Sequence, residues 1–186
     1  MANVDNPNGF HPLNGKPLRV TKYPIEASYG TALYIGDMVV LSSGYIIKST
    51  AATDNQLLGA VVGFECRDQG IKEGGYYPAS STYDWYALVA DDPYQRFVVQ
   101  DDAGGTLSEA NIGATMNIKQ THSGSTTTNL SGMEIDSSAT DGAVTDQVRL
   151  IGIVDDPNNA WGDNGDYIVE IHNHQLRQEN NVDATS

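Results

Sequence analysis

Short stretches of alternating apolar and polar residues run along most of the chain, and turn-forming residues separate them. Side chains two positions apart lie on the same face of a β-strand, so this alternation predicts strands that each bury one face. The stretches read LRVTKY, TALYI, DMVVL, YIIK, LLGAVVGF, WYALVA, QRFVVQ, QVRLIGIV and DYIVEIHNHQL. We predict an all-β fold with little helix, a compact β-barrel or β-sandwich, with the β-tulip as one candidate form.

The segments between these stretches carry residues that turns require. Residues 42–44 (Ser-Ser-Gly) predict a tight turn, and residues 91–93 (Asp-Asp-Pro) predict a hairpin or a corner, because proline cannot pair within a central strand. Residues 108–113 favour a single helical turn that a glycine ends. Residues 121–145 contain few large apolar groups, which predicts a long exposed loop or a hairpin with weak strands near residues 133–135.

The two ends of the chain differ from its middle in composition. Residues 1–17 are rich in Asn, Pro and Gly and carry two isolated large apolar groups, Phe10 and Leu13. We predict an extended arm there, ordered on a neighbouring subunit with Phe10 as its anchor, or simply disordered. Residues 18–176 form one β-rich domain in this prediction, and residues 177–186 form a flexible tail.

The charge of the chain bears on its partners. Ten basic and 24 acidic residues give a formal net charge of −14, which repels nucleic acid. In a DNA-filled particle this charge favours the outer face; solubility alone is the alternative explanation. The single cysteine, Cys66, indicates synthesis in a reducing cytoplasm, and no segment has the pattern of a signal peptide or membrane span.

The clearest candidate for metal chemistry is the alternating set Glu170, His172 and His174. On one strand these side chains would share a face, where imidazole and carboxylate groups can bind a metal. Surface or interface hydrogen bonding is the favoured alternative, so we predict no resident metal or other cofactor. Paired aspartates, such as residues 91–92 and 155–156, suit calcium binding or glycosidase chemistry, but turn capping explains them more simply.

Aromatic residues provide the candidate contact surfaces. Trp161 stands in a loop and suits contact with a glycan or a protein, whereas Trp85 suits a core or a subunit interface. Tyr76 and Tyr77 form a pair in a glycine-rich loop. The chain has no G-x-S-x-G motif and no glycine loop between a strand and a helix, so we predict that it is not an enzyme and has no catalytic residues.

The order of several segments resembles that of the head decoration, or capsid cement, proteins of tailed bacteriophages. The resemblance covers residues 31–176 and rests on the segments GDMVVLSSGYIIKSTAATDNQLLGAVVGF, ADDPYQRFVVQ, NIGATMNI, SGMEIDSS, VRLIGIVDDPNN and VEIHNHQL. It implies a β-rich subunit, often trimeric, that adds to the outside of the expanded capsid at local symmetry axes and holds neighbouring capsomers together.

The leading hypothesis is therefore a non-enzymatic decoration protein on the outer capsid surface. Its expected partners are the major capsid protein and further copies of itself in a homotrimer, with no nucleic acid and no membrane. The expected contact residues are Phe10, Leu13, Tyr76, Tyr77, Trp85 and Trp161. Two alternatives stay open. The first is a glycan-binding adhesion module or fibre component of the virion that displays Trp161 and the threonine-rich loop from Thr121 to Thr128. The second is a metal-dependent hydrolase that uses Glu170, His172 and His174.

Overall fold

The computed structural model describes residues 3–50, 56–67, 75–140, 142–143 and 145–177. Its strands are β1 (His11–Pro12), β2 (Val20–Pro24), β3 (Met38–Ser42), β4 (Tyr45–Lys48), β5 (Gly59–Cys66), β6 (Trp85–Ala90), β7 (Arg96–Gln100), β8 (Thr115–Met116), β9 (Ile118–Gln120), β10 (Met133–Ile135), β11 (Val148–Ile153) and β12 (Asp166–Ile171). Within these ranges the helical segments are two short 3-10 turns, Leu13–Gly15 and Glu109–Asn111. The prediction of an all-β fold with little helix is confirmed.

The strands form two larger antiparallel sheets and a ribbon. The first sheet, which we call the barrel sheet, has the order β2-β6-β5-β3-β4 and curls until its edge strands β2 and β4 approach each other. The second sheet has the order β1-β7-β12-β11-β8, and β9 pairs with β10 in the ribbon. The chain passes from the first sheet to the second between β6 and β7, so residues 91–93 form a corner rather than a hairpin.

Alternation along the barrel sheet creates two separate cores. Val39 points into the curl of the sheet, whereas Met38 and Val40 point towards the second sheet. We call the inner set the barrel core; its buried members are Ile25, Leu33, Val39, Ile46, Leu58, Val61, Phe64, Cys66, Tyr77, Trp85, Ala87 and Val89. The inter-sheet core lies between the sheets and comprises Phe10, Met38, Val40, Leu57, Ala60, Ala90, Phe97, Val99, Leu107, Met116, Ile118, Met133, Ile135, Val148, Leu150, Tyr167, Val169 and Ile171.

A β-bulge in β5 adjusts this alternation. The register shifts between Val61 and Gly63, which places one additional residue in the strand. Val61 and Phe64 therefore both belong to the barrel core although they are three positions apart, and Val62 packs against the inter-sheet core. In a strand without the bulge, residues three positions apart point to opposite faces, so either Val61 or Phe64 would point away from the barrel core.

The N-terminal segment does not form the predicted extended arm. Its strand β1 pairs with β7, and the backbone N–H of Phe10 donates to the Gly36 carbonyl at 2.9 Å. The Phe10 side chain is fully buried, with its ring in an edge contact with Phe97 at 6.5 Å between centroids. Phe10 thus anchors the segment in the core of its own chain, because that site removes the whole aromatic surface from water.

The stretch TALYI is not a strand in the structure: Leu33 and Ile35 make only isolated bridges, to Tyr77 and Leu130. These bridges connect distant loops, which sequence alternation alone does not reveal. The predicted tail lies outside the described residues, except for Arg177.

Candidate functional surfaces

Three of the predicted contact residues are buried within the chain. Phe10 is 0%, Tyr77 1% and Trp85 8% exposed. Tyr77 and Trp85 meet edge to face in the barrel core at 5.8 Å between ring centroids, and the Trp85 indole N–H donates to the Ser81 hydroxyl. Aromatic rings with such partners are not available on the surface, which corrects the prediction of capsid or subunit contacts at these three positions.

The other three predicted contact residues are partly exposed. Tyr76 stacks on Tyr34 with 5.2 Å between ring centroids, and Leu13 lies in the first 3-10 turn. Trp161 packs against Tyr167 at 5.4 Å between ring centroids while part of its ring faces solvent. These three residues lie at different places in the fold and do not form one surface.

The candidate metal set at the end of β12 does not assemble. The strand ends at Ile171, so the two histidines beyond it no longer follow the alternation that places side chains on one face. Glu170 forms an ion pair with Arg149 at 3.7 Å, and Arg149 also donates to Nδ1 of His172 at 2.9 Å. His174 is buried at 2% exposure and accepts a hydrogen bond from the Leu176 backbone, and burial lowers its pKa to about 4.

A polar cleft of about 640 Å³ lies where the N-terminal segment crosses the second sheet. We call it the asparagine cleft; its lining residues are Asn3, Val4, Asp5, Asn6, Asn8, Gln100, Val154, Asp156, Asn158, Asn159, Asn164 and Asp166. The Gln100 amide donates to the carbonyls of Val4 and Asn164, both at 3.1 Å, and accepts from the Asn6 N–H at 2.7 Å. The buried Gln100 side chain therefore bonds both to the N-terminal segment, at Val4 and Asn6, and to the loop that contains Asn164 on the other side of the cleft.

A smaller hollow of about 440 Å³ adjoins this cleft and shares Asn3 and Asn164 with it. Trp161 lines the hollow together with Asp163. The Asn3 amide donates to the carbonyls of Ala160 and Asp163 at 2.9 and 3.0 Å, which holds the N-terminal segment against the Trp161 loop. An indole face beside amide and carboxylate groups is a combination that can hold a hydroxyl-rich ligand.

An exposed apolar cluster forms a third surface, which we call the Tyr94 patch. Its members are Leu18, Val20, Tyr94 and Leu176, which are 66%, 43%, 73% and 45% exposed. The Leu18 N–H donates to the side chain of Gln95 at 2.7 Å, which brings Leu18 to the segment that contains Tyr94. The Arg177 guanidinium lies 5.4 Å from the Tyr94 ring centroid, which brings Leu176 to the same region.

Arginines stand at the edge of this patch in an otherwise acidic chain. Arg19 donates to the Asp91 carboxylate at 2.8 Å and to the Asp91 carbonyl at 2.6 Å, and the Tyr23 hydroxyl donates to the same carboxylate at 2.7 Å. Burial together with the bond to Asp91 raises the pKa of Tyr23 to about 12. These contacts fix Arg19 at the surface, and Arg177 is held by its bond to the Pro93 carbonyl at 2.8 Å.

Sequence reasoning missed the Tyr94 patch. The alternation of Leu18 and Val20 predicts a buried face, but β2, which begins at Val20, is an edge strand of the barrel sheet, and both side chains are exposed. Tyr94 follows a proline in a corner, a position typical of exposed loops. Edge position and exposure are tertiary properties, so no local signal distinguishes this stretch from a covered one.

Comparisons with protein-family models, with curated proteins and with solved structures each find no match. Within the described residues, no helical segment has the length and apolar character needed to cross a membrane.

Proposed function

We propose that the protein is a non-enzymatic structural component of a phage virion, which binds the outside of the capsid as a decoration protein and stabilises the shell. The observation that carries this proposal is the Tyr94 patch. Large apolar groups clustered on a surface and flanked by arginine are typical of protein-docking sites, because tyrosine and arginine supply much of the binding energy at interfaces. The major capsid protein is the proposed partner.

The net charge of the chain supports attachment to the outside of the shell. The chain carries a formal net charge of −14, and Arg19 and Arg177 place two of its ten basic residues beside the patch. An acidic body is repelled by packaged DNA, so attachment from outside is favoured over a position near the genome. In this proposal the protein is made in the host cytoplasm and acts on the virion surface without membrane or nucleic-acid contacts.

Self-association is part of the proposal. In a homotrimer, three patches bind together, and their combined affinity exceeds that of one patch because the second and third contacts form within one complex. Each bound trimer then stabilises the assembled shell by its preference for that state over the dissociated subunits. Native mass spectrometry of the free protein should show three chains.

The test is co-sedimentation of purified protein with expanded, undecorated capsids of the encoding phage. We expect saturation at a fixed number of copies per lattice site. Tyr94→Ser should weaken binding by at least about tenfold, since an interface tyrosine commonly contributes this much. Ile112→Ser is the matched control, because Ile112 is 53% exposed and lies outside the patch.

The outcomes separate the decoration role from the role of the patch. If the wild-type protein does not bind at saturating concentration, the decoration role is rejected. Equal binding by the two serine variants would instead reject the patch as the contact. Deletion of residues 2–16 is a poor test of an arm, because it also removes Phe10 from the inter-sheet core.

A second candidate function is glycan binding by a virion adhesion module, and the hollow beside Trp161 is the observation that favours it. Trp161 supplies an aromatic face, and Asp163 and Asn164 line the same hollow with polar groups. A glycan array should then show binding that Trp161→Ala abolishes and Tyr83→Ala retains, since Tyr83 is exposed elsewhere. Binding that is absent, or equal in both variants, would reject this function.

A further inference from the structure

His122 lies between two carboxylates that come from distant parts of the chain. Its Nδ1 atom is 3.2 Å from Oε2 of Glu134 on β10, and its Nε2 atom is 3.8 Å from Oδ2 of Asp5 in the N-terminal segment. The donor atoms of the three residues lie within 4.8 Å of one another. In the part of the chain that the structure describes, this is the one cluster of three metal-ligating side chains.

The partners of Nδ1 set the tautomer of the imidazole. Nδ1 lies 3.0 Å from the Thr121 hydroxyl oxygen and 3.2 Å from Oε2 of Glu134. An ionised carboxylate only accepts hydrogen bonds, so the contact with Glu134 is a hydrogen bond in the tautomer whose Nδ1 carries the proton. The Nε2 atom then has a free lone pair that faces Asp5. Histidine commonly binds metal ions in this arrangement, in which one ring nitrogen donates a hydrogen bond to a carboxylate and the other offers its lone pair to the ion.

Glu134 is unusually placed for a charged residue. Its side chain is 1% exposed, and burial raises its pKa while the hydrogen bond from His122 opposes that change. Among the described residues, the ion pair that Glu134 makes is with His122 alone. A buried carboxylate without a lysine or arginine partner is costly, and a cation held by the same histidine would offset that cost.

The backbone holds His122 in this position. A Cβ atom at Gly132 would overlap the His122 carbonyl oxygen and lie 2.8 Å from the His122 Cβ atom, so only glycine permits this close approach. The approach places the His122 backbone beside the start of β10, close to Glu134, and the His122 side chain is 48% exposed.

We propose that His122 and Asp5 bind a divalent transition-metal ion of the zinc class, with Glu134 orienting the imidazole from behind. Zinc bonds of about 2.0–2.1 Å at a tetrahedral angle place two donor atoms roughly 3.3 Å apart. The 3.8 Å between Nε2 and Oδ2 closes to this value when the exposed Asp5 side chain moves by a few tenths of an ångström. Water molecules occupy the remaining coordination positions.

The bound ion would connect two separate segments. Asp5 precedes β1, and His122 follows β9, so the metal joins the N-terminal segment to the ribbon. This segment also forms one wall of the asparagine cleft. Zinc would thereby restrain one wall of that cleft, an effect that does not depend on the proposed capsid function.

The test is calorimetric titration of the full chain with Zn²⁺, with Co²⁺ absorption as a second readout of a nitrogen and oxygen ligand set. We expect one ion per chain, loss of binding in His122→Ala, and affinity about tenfold or more weaker in Glu134→Gln. His11→Ala is the control, because it removes another histidine of the chain that lies outside the cluster. Hydrogen exchange of residues 3–8 should slow when zinc is added to the wild type.

Two results would overturn the proposal. The first is zinc affinity in His122→Ala equal to that of the wild type and His11→Ala. The second is the absence of any binding by the wild type at about 0.1 mM Zn²⁺, a concentration well above the dissociation constants of specific protein sites. Because His122 is exposed, circular dichroism of His122→Ala should show an intact fold and keep the comparison valid.

Discussion

The barrel core and the inter-sheet core differ in where their residues come from. The barrel core draws its members from Ile25 to Val89, one continuous part of the chain. The inter-sheet core draws on Phe10 near the start, on Ile171 near the end and on most elements between them. One core can therefore form from neighbouring strands, whereas the other requires both ends of the chain.

Each core has a tryptophan in it or against it, whose fluorescence can report on that core. Trp85 lies in the barrel core, and Trp161 packs against the inter-sheet core. Trp161→Phe leaves the barrel core as the site of the remaining tryptophan, and Trp85→Phe leaves a tryptophan beside the inter-sheet core. Paired single-tryptophan proteins can thus follow the two cores separately during unfolding.

The largest expected effect comes from removing one aromatic ring from each core. Phe10→Ala and Phe64→Ala should each lower the free energy of unfolding by about 3–5 kcal/mol, because both side chains are at most 1% exposed. In urea, Phe10→Ala should shift the Trp161 signal more than the Trp85 signal, since the barrel core does not contain Phe10. Phe64→Ala should shift both, because the second sheet packs on the barrel sheet.

If Phe10→Ala shifted the Trp85 and Trp161 unfolding signals equally, the distinction between the two cores would be wrong. Equal shifts would show that the two cores unfold as one cooperative unit despite their different origins. Phe97→Ala serves as a control, because Phe97 contacts Phe10 within the inter-sheet core and should reproduce the pattern of Phe10→Ala.

The next effect is a loss of stability at low pH, caused by the buried His174 where the C-terminal segment contacts the barrel sheet. His174 makes an isolated bridge with Leu57, and the neighbouring Gln175 side chain bonds to both polar backbone groups of Leu41. The folded pKa of His174 is about 4, below its ordinary value of 6.5, so between these values the unfolded chain binds the proton and the folded chain does not. Stability from this group is complete above pH 6.5 and is lost as the pH falls towards 4.

The loss should amount to about 2 kcal/mol between pH 7.5 and pH 5. His174→Asn removes the titrating group and keeps an acceptor where Nδ1 receives the Leu176 N–H. The difference in unfolding free energy between the wild type and this variant should shrink by that amount at pH 5. If it is the same at both pH values, His174 does not titrate as the structure indicates.

The smallest effect tests the attachment of the N-terminal segment outside the core. Asn3→Ala removes the side-chain bonds to Ala160 and Asp163, which should cost about 1 kcal/mol. Hydrogen exchange of residues 3–8 should rise, and the Trp85 signal should stay unchanged. Asn8→Ala, in the same segment, should have a smaller effect, and an equal effect would show that the Asn3 contacts do not secure the segment.

Sequence alternation predicted the fold class and most of the longer strands because each of those strands buries one face. It did not predict β1, since two residues are too few to alternate, nor the burial of Phe10, which depends on a site formed by β7. The turn at residues 42–44 matched its prediction, with Ser43 and Gly44 at positive φ angles of 50° and 87°. Local chemistry determined that turn, so local sequence was sufficient.

The candidate surfaces were less predictable. Trp161 was found from its loop context, but the His122 cluster joins residues that are 117 and 12 positions apart, His122 to Asp5 and to Glu134. No spacing rule connects such positions. Only the pairing of β9 with β10 and the course of the N-terminal segment bring them together.

The burial of Phe10 also has a consequence for synthesis. The ribosome produces Phe10 before any strand of the second sheet, and β12, which completes that sheet next to β7, emerges about 80 residues after β6. At roughly 5–20 residues per second, the barrel sheet is finished several seconds before the second sheet that covers it is complete. During that interval the nascent chain displays Met38, Val40 and Phe10 together, and this is when it is most exposed to aggregation or chaperone capture.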